Sequence, residues 1–148
     1  MGFKGLAGAA ATMVTAGVLG FAAPAVAEDG TCADVDVVFA RGTNEPAGLG
    51  REGEAFVDAL RADLPGTTVS AYAVNYPASF DFLKATDGAT DASGHLQAVA
   101  AACPDTRFVL GGYSQGAAVI DILAAAPGPV LDFTAPLPPA LADRVAAG

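Results

Sequence analysis

"VLGGYSQGAAVI", running from Val109 to Ile120, is the stretch whose reading decides the fold. An apolar run, Phe108-Val109-Leu110, meets Gly-Tyr-Ser-Gln-Gly and passes directly into an Ala/Val/Ile segment with helical character. Strand, sharp turn and helix in immediate succession are the context in which Gly112-Tyr113-Ser114-Gln115-Gly116, a G-x-S-x-G pattern, reads as a nucleophile elbow. There the serine takes a strained backbone conformation between two small residues. Its hydroxyl projects above the carboxyl edge of a sheet, and the next N–H, that of Gln115, opens a helix where an oxyanion would form. The competing reading is a serine in an ordinary βα turn. The apolar strand before it and the uncapped apolar helix after it favour the elbow.

Working outward, "CADVDVVFARGTNEP" places a strand over Val35, Val37, Val38 and Phe39, stopped by Gly42 and Pro46. "REGEAFVDALRADLPG" predicts a helix with Phe56, Leu60 and Leu64 on one face and Pro65-Gly66 at its end. "TTVSAYAVNYP" predicts a second strand. Ala78 to Ala89 carries no assignable pattern. "DASGHLQAVAAACP" predicts a helix capped by Asp91 or Ser93. "TRFVLGGYS" is the third strand, expected to be central, and "QGAAVIDILAAAPGP" a helix apolar nearly all round except at Asp121, so expected to be buried. Alternating strands and helices at these spacings imply right-handed βαβ units and a mostly parallel sheet. After Ala126 the pattern decays into a proline-rich segment, with a short helix expected over 139–146.

The loop "FARGTNEP" follows a strand at the same sheet edge as Ser114. Gly42 permits close backbone approach, and Thr43 offers both an N–H and a hydroxyl for a second oxyanion donor. A plain glycine-containing βα loop is the alternative that spacing alone favours.

The first 27 residues read differently from the rest. Lys4 is the only charge before Glu28, and the uncharged stretch ends in Ala25-Val26-Ala27, the small-x-small pattern of signal-peptide cleavage. Its Ala/Gly composition and Pro24 argue against a stable membrane anchor, although the length would span. Residues 1–27 are therefore assigned as a signal peptide and 28–148 as the exported domain. The chain holds 7 basic and 16 acidic residues, net −9, which argues against nucleic acid as a partner. The two cysteines, Cys32 and Cys103, suit an oxidising compartment and allow one intramolecular pairing. Metal binding is the less favoured alternative, because there is no C-x-x-C and His95 is the only histidine.

Taken in order, "VVFARGTNEPAGLG", "YAVNYPAS" and "RFVLGGYSQGAAVID", flanked by Cys32 and Cys103, resemble the cutinase family of secreted serine esterases over about residues 32–126. The resemblance implies an α/β fold, a three-layer α/β-hydrolase-like sandwich with a central, mostly parallel sheet. It implies hydrolysis of esters (lipid, polyester or short-chain) with Ser114 as nucleophile, Thr43 and Gln115 as oxyanion-hole residues and a Cys32–Cys103 disulfide. It calls for neither metal nor cofactor.

The family's order is serine, then aspartate, then histidine. The catalytic Asp and His, a second cysteine pair and the next core strand are expected beyond Gly148, which makes this a C-terminally truncated cutinase pattern and leaves the third strand with an exposed apolar edge. His95 precedes the serine and reads better as a solvated residue in the first turn of its helix than as a base. Asp121 lies two turns into its helix, and Asp132 and Asp143 do not match the family pattern. The leading expectation is a secreted carboxylesterase acting through an acyl-enzyme. The alternative is a catalytically inactive remnant, a binding protein, or half of a split esterase whose partner is a complementing C-terminal fragment. A peptidase or acyltransferase on the same fold is a third, weaker reading.

Overall fold

The computed structural model describes residues 31–126 and 128–147; the signal-peptide assignment lies outside them. The elements follow as β1 (Val35–Ala40), α1 (Gly50–Asp63), β2 (Val69–Ala73), α2 (Ala85–Ala102), β3 (Arg107–Gly112), α3 (Gln115–Ala125), α4 (Pro139–Ala142) and β4 (Val145–Ala147), with a 3-10 turn at Phe82–Lys84 before α2. The four strands form one sheet in the order β2-β1-β3-β4, and every pair is parallel.

Because successive side chains alternate across a strand, β1 divides its residues between two cores. Val37 and Phe39 pack with Val109 and with Val57 of α1 on one face. Val38 and Ala40 pack with Phe108 and Leu110 and with α2 and α3 on the other. The result is three layers, with α1 alone on one side. The chain passes from β1 to β2 through α1 on one face, then to β3 through α2 on the other. The crevice between the carboxyl ends of β1 and β3 is thus a topological switch point, where open α/β sheets bind their ligands.

Several elements differ from the sequence reading. In α1 the inward face is Gly53, Val57 and Leu60, while Phe56 is 40% exposed at the rim against Phe39. α2 begins at Ala85 rather than near Asp91, and Asp91 and Ser93 are interior residues with tertiary partners: Tyr72 O–H and Asn75 N–H donate to Asp91, and Ser93 O–H donates to the Ala135 carbonyl. α3 is buried on one face only, through Gln115, Gly116, Val119, Ile120 and Leu123. Its outward positions are mostly alanines, whose apolar character carries little area and costs little to expose.

The expected exposed edge of β3 is corrected for its first part, Phe108 and Val109. After the short helix α4, β4 pairs with β3 through Phe108↔Val145 and Val109↔Ala147. Arg144 fixes this segment, donating to the carbonyls of Ala100, Cys103 and Thr106 while its guanidinium lies over Phe108. Cys32 and Cys103 are disulfide-bonded, which overturns the metal alternative and ties the start of β1 to the end of α2.

Candidate active site

Ala40 and Gly112 are register partners at the last pair of the β1–β3 ladder. The two chains leave the sheet side by side there, as Arg41-Gly42-Thr43 and Tyr113-Ser114-Gln115. Ser114 has φ 54° and ψ −117°, a conformation that L-residues avoid. Such strain costs about 1–3 kcal/mol and persists only where the surroundings impose it. A Cβ on Gly112 would lie 2.2 Å from the Gly116 carbonyl oxygen, and one on Gly116 would lie 1.9 Å from the Ala40 carbonyl oxygen. Both glycines of the pattern are therefore required by close backbone approach. Tyr113 N–H donates to the Ala40 carbonyl at 3.0 Å, which extends the ladder to the residue before the serine.

Ser114 occupies the N-cap position of α3, where a serine commonly accepts a bond from the helix N–H groups. Here its side chain makes no such bond and is exposed. The hydroxyl is left free at the mouth of the switch-point crevice.

Gln115 is 2% exposed and joins three loops. It accepts the Thr43 hydroxyl at 3.2 Å and donates through Nε2 to the Ser79 carbonyl at 2.9 Å. Asn44 N–H donates to the Ala78 carbonyl at 2.7 Å, closing the same circuit on the backbone. Below it the buried Arg41 donates to the carbonyls of Glu45 and Tyr76 at 3.0 and 2.7 Å, and the Tyr76 hydroxyl donates back to the Arg41 carbonyl. Burial pushes the Tyr76 phenol up, against the opposing pull of the Arg41 charge. Ser114, Thr43 and Gln115 are thus brought together on a scaffold of fixed backbone.

His95 is not part of it. It lies in the third turn of α2, buried, with Nε2 2.7 Å from Asp36 Oδ2 and its ring stacked on Tyr72 at 3.7 Å. Asp36 is the register partner of Phe108, six positions before Ser114. At about 3.3 Å per residue the pair sits roughly 20 Å from Ser114, near the opposite edge of the sheet. The expected solvated histidine is instead a packed one. Asp121, Asp132 and Asp143 are exposed.

Sequence reasoning missed Glu45, Arg41 and Ser79 as supports of this edge, and it missed the Asp36–His95 pair. A signal for the last was present: Asp36 is a lone carboxylate inside the apolar run of β1, and a buried charge needs a partner.

Comparison with known proteins gives these features a lineage. The family model described as Cutinase matches residues 31–148. The chain belongs to the cutinase family. Among curated cutinase relatives, "Phospholipase Culp4" of Mycobacterium tuberculosis is 63% identical over 116 residues, covering 78% of this chain and 51% of that protein. A "Cutinase" of Kineococcus radiotolerans is 55% identical, covering 79% of this chain and 40% of that one. The chain spans about half the length of the curated relatives it matches, or less. Among solved structures, the catalytic core of Trichoderma reesei acetyl xylan esterase superposes with a TM-score of 0.67 at 27% identity, covering 79% of this chain and 62% of that one. A T. reesei cutinase in complex with a phosphonate inhibitor gives 0.55 at 38% identity, covering 64% and 47%. The α/β-hydrolase-like architecture is therefore common to the group.

Proposed function

We propose that this chain carries the nucleophile half of a secreted serine carboxylesterase. The observation that carries the reading is Ser114 itself, held at φ 54° between two obligatory glycines with its hydroxyl free at the switch point. Ser114 Oγ attacks the ester carbonyl carbon, and its proton passes to a base. The tetrahedral oxyanion is received by the backbone N–H groups of Thr43 and Gln115, with the Thr43 hydroxyl beside them. Collapse breaks the bond to the alcohol, which leaves with a proton, and water then cleaves the acyl-serine to release the acid.

Support for an apolar ester comes from the same edge. Phe80, Phe82 and Leu83, at 76, 58 and 65% exposure, stand on the loop whose Ala78 and Ser79 carbonyls bind Asn44 and Gln115. Export by the 1–27 segment fits the disulfide; among the described residues no helix is long and apolar enough to cross a membrane.

His95 is committed to Asp36 far from Ser114, so the imidazole that activates the serine, and its acid, come from outside these 148 residues. The test is p-nitrophenyl butyrate hydrolysis by the isolated chain. Without the base, turnover stays near the roughly 10³–10⁴ over water that an oxyanion hole and binding provide with or without the serine, and survives His95→Ala measured at a temperature where that variant is folded. Adding a cutinase C-terminal fragment that supplies the Asp and His should raise turnover, and a rise that Ser114→Ala leaves intact sinks the nucleophile assignment. Fast turnover lost in folded His95→Ala sinks the assignment of an external base.

A further inference from the structure

We propose that Glu45 is a positioning residue that sets the direction of the Thr43 N–H; the proposal rests on the reading of Thr43 and Gln115 as oxyanion donors. Glu45 grips Gly42, the residue before Thr43, at both of its backbone groups. Its carboxylate Oε2 accepts the Gly42 N–H at 2.5 Å, and its own N–H donates to the Gly42 carbonyl at 3.3 Å. The peptide unit is planar and trans, so its carbonyl and the following N–H point in opposite directions. Fixing the Gly42 carbonyl toward Glu45 therefore fixes the Thr43 N–H away from it.

The second carboxylate oxygen anchors the grip. Oε1 accepts the N–H of Arg51 at 3.2 Å, in the first turn of the 14-residue helix α1. A carboxylate at a helix N-terminus is stabilised by the unpaired N–H groups and their dipole. That same placement offsets a negative charge which would otherwise oppose an oxyanion one residue away. The backbone carbonyl of Glu45 is held in turn by the buried Arg41 at 3.0 Å. Each polar group of Glu45 thus has a partner, and together these bonds brace the turn that carries the Gly42–Thr43 peptide. The geometry is that of preorganisation: a donor aimed before the charge arrives, with no reorganisation at the moment of reaction.

The test reads this geometry without needing turnover. In the ¹⁵N-labelled 148-residue chain, amide exchange is measured at Gly42, and butylphosphonate, a tetrahedral anion with no leaving group, is titrated while the Thr43 and Gln115 amides are followed. In the wild-type chain the Gly42 amide is protected and the phosphonate moves both other amides. In Glu45→Ala the Gly42 and Arg51 N–H groups lose their acceptor while the backbone bond to the Gly42 carbonyl remains. Gly42 protection is then lost, the Thr43 response weakens, Gln115 still responds, and the apparent Kd rises severalfold, up to about the tenfold worth of one charge-assisted hydrogen bond. Glu45→Gln keeps one acceptor oxygen and falls between. An unchanged Thr43 response and affinity in Glu45→Ala overturn the proposal. So does a Gly42 amide that exchanges freely in the wild-type chain, an outcome that requires no variant to fold. A protected Gly42 with neither Thr43 nor Gln115 responding in the wild-type chain topples the oxyanion reading instead, and this proposal falls with it.

Discussion

At the carboxyl edge of the sheet the backbone is strained and side chains brace it, mostly through backbone groups; at the amino edge the strands run regularly and side chains tie strand to strand and helix. Among the described residues, three of the four non-glycine positions with positive φ, Asn44, Ala78 and Ser114, sit on the loops of the first edge. At the second edge Asp34 accepts from both the N–H and the hydroxyl of Thr68, and Ser70 donates to Asp36, which binds His95. Thr106 donates to the Ala33 carbonyl there, next to the Cys32–Cys103 bond. The difference teaches where stability and chemistry are kept in this molecule: the amino edge holds the fold, so that the carboxyl edge can keep conformations that a less supported chain would relax.

The sharpest way to break this division is to cut the disulfide. Cys32→Ser with Cys103→Ser reopens a 71-residue separation and is expected to lower unfolding free energy by about 4 kcal/mol on the chain-entropy model. Urea titration measures it, and a loss below about 1 kcal/mol would mean that the amino edge does not depend on the link. Next is Asp36→Ala. It leaves both ring nitrogens of buried His95 without a partner, since Nδ1 has none among the described residues already. The expected cost is about 3 kcal/mol, read as a fall in Tm with little change in the Ser114-edge amide shifts.

The opposite sign is expected at the strained edge. Ser114→Gly relieves the positive φ and should raise stability by about 1 kcal/mol while removing the hydroxyl; a destabilised glycine variant would contradict the strain argument. The smallest effect is alkaline. Desolvation, then the Asp91 carboxylate that accepts its hydroxyl, pushes Tyr72 up to about 12. A phenol whose folded value lies above its unfolded value contributes stability that is present below about pH 10 and lost as pH rises toward 12. Tyr72 is only partly enclosed, so solvent screening keeps the loss modest. A Tyr72→Phe chain whose stability fell as steeply over that window would place the effect elsewhere.

The sequence made the strands and the elbow legible, because apolar runs and G-x-S-x-G are local patterns. It also placed Thr43 and Gln115 at the edge shared with Ser114. The start of α2 was hidden, since Thr86, Asp87, Gly88 and Thr90 are poor helix formers. They are helical because Gly88 lets α2 lie against Val119 of α3 and Tyr76, where a Cβ would come within 2.9 Å. Tertiary packing overrides local preference there. β4 was hidden for a related reason. Val-Ala-Ala carries no strand signal, and its place is set by Arg144 reaching carbonyls 38 to 44 residues away. The Asp36–His95 pair joins positions 59 apart, a separation at which a sequence pattern shows each member but not their meeting.

The Cys32–Cys103 bond has a further consequence, for the order of assembly. The β1–β3 ladder joins Val35 to Arg107, almost the same two points along the chain. Parallel ladders of this span form slowly, because the intervening chain must be closed before any contact rewards it. An oxidised chain starts with that closure already made, so refolding with the bond intact should be faster than refolding from the reduced state. Thiol oxidation then acts as a timer on when the central strands find each other.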